Sequence, residues 1–367
     1  MLSPPERPIT DRQMRPVLGW AALGAVFVLL FAYLIFMWFW SGDAKPTPTG
    51  DVPTYTLVAT RAVEVFQAIF VPIFLYHVVV KPWRKTGVLT NDGVFCLAGG
   101  TVWWQDTFCN SLADFTNNSA VFLNLGSWDR HIPFWSSPNG NKVVEPFLGA
   151  SGIMYLWAPL CLAMLGNLGM RMAKKRWPGL GVFGQLCASV AMLAGVTMIM
   201  ELGAVRLGLW SYQGAHSWAS LFHGTYYQFP LYEPILLGIA CTAWGALRYF
   251  RDDKGQMFAE RGLERVHTTP GKKNLLRVLA VGAVMNLAFL FLWGIPVAHI
   301  ATTQDAWPPD MVKRTYLTND ICGPGTGYAC PSREIPMAHK NSIHVGPDGE
   351  FIVPDGVRLP RGGTTHE

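Results

Sequence analysis

The sequence predicts an all-α polytopic membrane protein of about seven transmembrane helices, N-terminus inside and C-terminus outside. Three observations carry this. Half of the 367 residues are hydrophobic and only 14% are charged, against about 25% charged in a soluble domain. Seven apolar runs each approach the ~20 residues that a bilayer-spanning helix needs; they lie at 17–40, 55–80, 88–108, 147–170, 178–203, 231–250 and 275–300. Lys and Arg collect in alternate connections, as short cytoplasmic loops do.

The first run lacks a small-residue cleavage site and exceeds a signal peptide's apolar core, so it reads as a retained helix. A cytoplasmic arm, 1–16, precedes it with Arg7, Arg12 and Arg15. The second run ends inside at Lys81, Arg84 and Lys85, and the third exits outward at Asp106. An outer connection, 109–146, comes next. The fourth run enters near Glu145 and reaches Arg171, Lys174, Lys175 and Arg176 inside. The fifth exits at Glu201 into a second outer connection, 204–230, and the sixth enters at Glu233. A basic stretch from Arg248 to Arg277 is expected to hold one short helix within 251–274. The seventh run delivers the chain to an extracytoplasmic tail, 301–367.

The body 17–300 forms one unit without an internal repeat, placed in the cell membrane as a multi-pass protein. The tail is rich in Pro, Gly and charge, so irregular structure is expected there, and the body is expected to fold without it. Cys322 and Cys330 bracket "GPGTGYA" in the tail; outside the cytoplasm they are expected to form a disulfide. Cys96, Cys109, Cys161, Cys187 and Cys241 read as small buried apolar residues. Trp38, Trp40, Trp103 and Trp104 read as interfacial anchors. The net charge of +5 comes from clusters that anchor against anionic lipid, so membrane lipid is an expected partner and nucleic acid is not.

The acids point to chemistry. Asp106, Glu145, Glu201 and Glu233 mark four outer helix ends, with Glu64 beneath them. Taken singly, each is equally well a solvated boundary residue, and Glu145 and Glu233 also suit helix N-termini. Together they have polar-aromatic company. "TVWWQDTFCNSLADFTNNSAVFLNLGSWDRHIPFW" leads from the third run into the first outer connection, and the second supplies Arg206, Trp210, Tyr212, His216 and His223. Clustered carboxyls in a dry, aromatic-walled cleft have the makings of a small-molecule site with acid/base capability. Asp106, Glu145, Glu201 and Glu233 form the candidate acid/base set. Asn110, Asn118, Asn124 and His131 are candidates to orient substrate oxygens, and Trp128, Arg206, Trp210, Tyr212 and Tyr232 to line the site.

A metal is the first rival, but no HExxH or close-spaced histidine cluster occurs. The last run has no lysine for a retinal Schiff base, and no phosphate loop or dinucleotide fingerprint appears. No metal or other cofactor is expected. A carrier of lipids or polyketides, and a structural subunit of a membrane complex, remain as readings from other classes.

These segments resemble the AveC-like spirocyclase family of actinobacterial membrane proteins. The resemblance rests on Asp106 and Asn110, on Asn124 to Trp128 and on Ile132 to Trp135. It continues at Glu145 with Pro146, Trp210 with Tyr212, and Glu233 with Pro234. It covers roughly 55–300 and leaves the tail out. Thr107 stands where the family pattern has proline, and Ser111 where it has an aromatic. The resemblance implies cofactor-independent closure of a lipophilic dihydroxy-ketone, a polyketide, into a spiroketal, in some members with loss of water. Such closure passes through an oxocarbenium, which ionised carboxylates and aromatic faces stabilise.

Overall fold

The structure, a computed structural model, describes residues 15–107, 114–133, 139–339 and 342–355. It is 59% helical. Among the described residues there are seven helices of ten residues or more: α1 (Pro16–Trp40), α2 (Thr54–Leu75), α3 (Asn91–Gly100), α4 (Ala158–Arg176), α5 (Val182–Arg206), α6 (Tyr232–Tyr249) and α7 (Pro270–Phe289). Four helical stretches are long and apolar enough to cross a membrane: Pro16–Trp40, Thr54–Thr86, Val182–Arg206 and Pro270–Ala301.

Two of these stretches run through π-helical turns, at Tyr76–Val80 below α2 and at Leu290–Gly294 beyond α7. Proline explains both. Pro82 and Pro296 lack the N–H that would bond four residues back, and a wider turn takes up the freed carbonyls.

The run 88–108 forms a ten-residue helix, ~15 Å long, about half a hydrocarbon core. It stops where Gly99 meets the next segment; a Cβ there would lie 2.7 Å from the Tyr155 carbonyl oxygen. The run 147–170 becomes helical only at Ala158, after a 3-10 turn over Gly152–Leu156. The short α3 and the late start of the 19-residue α4 leave room for irregular chain inside the bundle, which is tolerated where protein buries it.

Helices α1 and α7 pack at backbone contact. A Cβ on Gly24 would sit 1.9 Å from the Leu279 carbonyl oxygen, the close approach small residues permit between apolar helices. On the other side α4, α5 and α6 pack together, with Gly166 against Ser189 and Leu193 and Thr242 Oγ1 donating to Ser189 Oγ at 2.9 Å. Helix α3 lies between the two groups, against both α4 and α7.

The connection between α3 and α4, expected to stay at the outer surface, descends alongside α2. The buried stripe of α2 is mostly polar: Thr56, Thr60, Glu64, Gln67, Val71. Glu64 Oε1 accepts from the Leu123 N–H at 2.6 Å and pairs with Arg61. Gln67 donates to the Gly149 carbonyl at 2.5 Å and accepts from Trp157 Nε1 at 3.0 Å. Gln67 lies ~20 Å along the helix from Thr54 at 1.5 Å per residue, so the connection reaches well down the bundle.

The segment after α7, expected to be irregular and separate, packs onto the body. Tyr316 and Leu317 are at most 1% exposed. The Tyr316 carbonyl accepts from Ala120 N–H at 2.8 Å, the Leu317 carbonyl from Gln213 at 2.9 Å, and Asn319 donates to the Asn118 carbonyl at 3.2 Å. Cys322 and Cys330 form a disulfide, which packs with Val143, Trp307 and Ile321. In 251–274 the expected short helix is replaced by two 3-10 turns, Phe258–Glu260 and Leu263–Arg265, before α7 begins. Cys96 and Cys241 are buried and Cys161 partly so, but Cys187 is exposed; Cys109 lies outside the described residues. Trp40 is exposed, whereas Trp38, Trp103 and Trp104 turn inward with Trp128 and are not lipid anchors.

Candidate active site

The site begins where α3 ends. The chain makes a tight turn over Thr101–Trp104, fixed from α7 by the fully buried Asn286. Its amide nitrogen donates to Thr101 Oγ1 at 3.0 Å, and its oxygen accepts from Trp104 Nε1 at 2.9 Å and Gln105 Nε2 at 2.7 Å. This turn aims Trp103 and Asp106 at the returning connection.

There Asp106 meets Glu145. The Tyr155 hydroxyl donates to Asp106 Oδ1 at 2.6 Å, and Trp103 Nε1 donates to Glu145 Oε2 at 3.0 Å. The two carboxyls are in hydrogen-bond contact with each other, and Asn118 also reaches Asp106. Glu145 is fully buried; burial, and then the charge of Asp106, pushes its proton affinity well above the usual carboxylate range.

A second pair repeats the pattern between α5 and α6. The Tyr212 hydroxyl donates to Glu201 Oε2 at 2.5 Å, and Trp293 Nε1 donates to Glu233 Oε1 at 3.3 Å. Glu201 and Glu233 are again in hydrogen-bond contact. The π-turn beyond α7 carries Trp293 to this position. Burial pushes the Tyr212 hydroxyl's affinity up, and the charges of Glu201 and Glu233 add to it, so Tyr212 is a hydrogen-bond donor to the pair.

Phe289 joins the two pairs. Its ring stacks on Trp293 at 4.7 Å and on Trp244 at 5.5 Å, and Tyr155 meets it edge-on at 6.3 Å. Further out, the two connections pair as short strands, β1 (Asn117–Asn118) with β2 (Trp210–Ser211), antiparallel. Glu145, Glu201 and Glu233 have no basic partner among the described residues; the ion pairs lie elsewhere, as at Arg248–Asp92 and Arg277–Glu260. One oxygen of Glu145 (Oε1) and one of Glu233 (Oε2) receive no N–H or O–H donor. Among the described residues no group of three or more His, Cys, Asp or Glu converges as a metal-ligand cluster.

The four acids expected as a set thus fall into two pairs. Asn118 and Tyr212 touch them directly. Trp128 backs Trp103 edge-on at 5.2 Å and donates to the Trp104 carbonyl at 3.2 Å. Trp210 is brought in by β2. Tyr232 donates to the Gly214 carbonyl at 3.4 Å, one ring away through Phe115, which contacts Tyr212.

Three candidates are engaged elsewhere. Asn124 bonds only backbone: its oxygen accepts from Thr47 and Gly126, and its nitrogen donates to Ala120 and Phe122. His131 sits at the outer end of α1 with Ser41 and Asp43. Arg206 is stacked on Phe222 and Tyr227 at 4.7 and 4.3 Å. Asn110, Ser111 and Trp135 lie outside the described residues. Thr107, in the place of the family's proline, is buried and donates to the Trp104 carbonyl at 3.4 Å.

The residues that sequence reasoning missed are the partners: Tyr155, Trp293, Phe289 and Asn286. Asn286 had a legible signal, an amide within an apolar run, where polar groups usually serve a purpose. Tyr155 and Trp293 had none, being aromatics among aromatics.

Four helical stretches long and apolar enough to cross a membrane, around carboxyls in the interior of the bundle, point to a helical membrane protein with a polar interior site. The chain belongs to the spirocyclase AveC-like family, whose model matches residues 83–317. All four acids and their aromatic donors lie within that match. It runs past α7 to Leu317, so part of the tail expected outside the resemblance belongs to the family core. No curated protein and no solved structure matches the chain.

Proposed function

We propose that this protein is a cofactor-independent cyclase of the cell membrane that closes a lipophilic dihydroxy-ketone, a polyketide-like chain, into a spiroketal by acid/base catalysis. The carrying observation is the two carboxyl pairs, each joining a buried glutamate, Glu145 or Glu233, to a half-buried acid, Asp106 or Glu201, and each held by a tyrosine and a tryptophan. Carboxyls kept in such surroundings are suited to giving and taking protons near neutral pH.

The chemistry matches that inventory. One hydroxyl adds to the ketone carbon; its proton passes to a carboxylate while the carbonyl oxygen takes one from a carboxylic acid. The hemiketal hydroxyl then takes a proton and leaves as water. The second hydroxyl attacks the resulting oxocarbenium and returns its proton to a carboxylate. The net change is the loss of one water, with no oxidant or reductant consumed. The Phe289, Trp293 and Tyr155 rings supply an apolar wall able to stabilise the cation.

In this reading all seven helices are embedded, α3 as a half-span completed by the irregular chain that follows it, with the N-terminus inside and the C-terminus outside. The Lys/Arg distribution supports that orientation. The substrate enters from the bilayer, which suits a lipophilic molecule and requires no aqueous path.

The test is direct. Purified full-length protein in lipid nanodiscs is incubated with a panel of lipophilic dihydroxy-ketones. Products are read by mass spectrometry for loss of one water and by chiral chromatography for a single stereoisomer. A stereochemically pure spiroketal with wild type and not with Asp106→Asn is expected. Tight binding of the ketones without conversion would replace the enzyme by a carrier.

A further inference from the structure

The two carboxyl pairs are built alike from unrelated parts of the chain. In each, a tyrosine hydroxyl donates to one acid: Tyr155 to Asp106, Tyr212 to Glu201. In each, a tryptophan N–H donates to the other: Trp103 to Glu145, Trp293 to Glu233. In each, the tryptophan-bound glutamate keeps one oxygen that no N–H or O–H reaches. Two carboxyls in hydrogen-bond contact without a proton would set acceptor against acceptor, and an unmatched buried acceptor is costly. A single proton between them resolves the contact and satisfies the orphaned oxygen.

The donors also say where the proton rests. A tyrosine hydroxyl given to a carboxylate is a charge-assisted bond, and it favours the ionised form of the acid that receives it. The partner also receives a tryptophan N–H, and Glu145 the Ser151 side chain as well, but it is the more deeply buried acid of each pair, so it carries the proton and donates across the contact. We infer that the protein contains two separate one-proton stations, in which Glu145 and Glu233 are the proton donors and Asp106 and Glu201 the acceptors. Tyr155, Trp103, Tyr212 and Trp293 are positioning residues that fix this polarity.

The catalytic consequence rests on the cyclase reading; the stations themselves do not. In each ring closure one proton is delivered and one is taken. A station does both and then resets when the proton crosses back from acceptor to donor, without help from bulk water. Two stations match two closures. The Phe289 ring lies between them, against Tyr155 on one side and Trp293 on the other, so the stations are distinct and the reacting chain has an apolar surface to lie on.

Infrared spectroscopy tests the stations without any substrate. Full-length protein in nanodiscs is compared with Glu145→Gln and Glu233→Gln in the carboxylic-acid C=O stretching region, with deuterium exchange to assign the bands. Each difference spectrum is expected to lose one band, and the two bands are expected to differ. Tyr155→Phe should shift only the band that Glu145→Gln removes, and Tyr212→Phe only the band that Glu233→Gln removes. Far-UV circular dichroism and melting of each variant identify any that fail to fold. The conservative tyrosine variants keep ring and volume, so the test survives loss of a glutamine variant.

In turnover, each tyrosine variant is expected to lose roughly tenfold, the worth of one charge-assisted hydrogen bond. Loss of no band, or of the same band in both glutamine variants, would overturn the inference. Bands without turnover of any ketone would remove the cyclase reading and leave the stations standing. Turnover without the bands would do the reverse.

Discussion

At the scale of single residues, carboxyl and amide of the same shape separate chemistry from architecture. Asp106→Asn and Glu233→Gln are each expected to lower turnover by about 10² to 10⁴, the usual range for general acid–base catalysis, with protein level in the membrane unchanged. Trp128→Phe should cost less, because Trp128 backs Trp103 and bonds the Trp104 carbonyl without touching a carboxyl. Glu145 gives a pH signature. Its proton affinity is raised in the folded state, so its stabilising contribution is complete below the ordinary glutamate range and is lost as pH rises through the raised value. Melting temperatures across pH should fall on the alkaline side in wild type and lose that part of the slope in Glu145→Gln. The acids were legible in the sequence because a carboxyl beside an apolar run is expensive enough to demand a reason. Their pairing was not, since Asp106 with Glu145 and Glu201 with Glu233 is decided by where helices stop. Asn124 and His131 were not legible as turn and helix-end residues for a related reason: a polar side chain that closes a turn looks the same in sequence as one that faces a ligand.

At the scale of elements, hydropathy located all seven helices of ten residues or more among the described residues, because each is built on a continuous apolar run; four of them are long and apolar enough to cross a membrane. It overran α3 and started α4 too early. Composition does not register that Gly99 abuts the Tyr155 carbonyl or that Pro159 opens a helix. The contact between α1 and α7 yields a sharp expectation. Gly24→Leu places side chain where the Leu279 carbonyl already lies and should destabilise by about 1–3 kcal/mol or more. Thermal melting in detergent reads this, and Gly19→Leu, with open space around it, is the control. The π-turn at Leu290–Gly294 gives another. Deleting Phe291, an exposed residue within it, allows an ordinary α-turn and rotates the downstream helical residues by about 100°. Trp293 then leaves Glu233, and turnover should fall although no polar group has been removed.

At the scale of the whole molecule, orientation and the role of the tail each have a direct readout. In a background without other free thiols, Ser217→Cys should react with an impermeant maleimide on intact cells, and Lys254→Cys only after lysis. The opposite pattern would invert the proposed topology. Truncation after Thr303 should abolish activity and lower the melting temperature, contrary to what the tail's composition implies. Pro, Gly and charge announce the absence of regular structure, not the absence of contacts, and Tyr316 and Leu317 are buried all the same.

The hold of Asn319 and Tyr316 on Asn118 and Ala120 has a consequence in time. These partners are separated by about two hundred positions in the chain, and a ribosome makes them in sequence. Until residues 316–319 have been made, β1 lacks the carbonyl and amide that later pin it. Asn118, the side chain that reaches Asp106, is held by the Val144 carbonyl and by β2, but its own carbonyl gains a donor only after Asn319 has been made and folded back. A nascent or prematurely terminated chain carries all four acids yet leaves one wall of their chamber loose. The enclosure is completed late, around the last residue of the family match, Leu317, whose carbonyl closes onto Gln213.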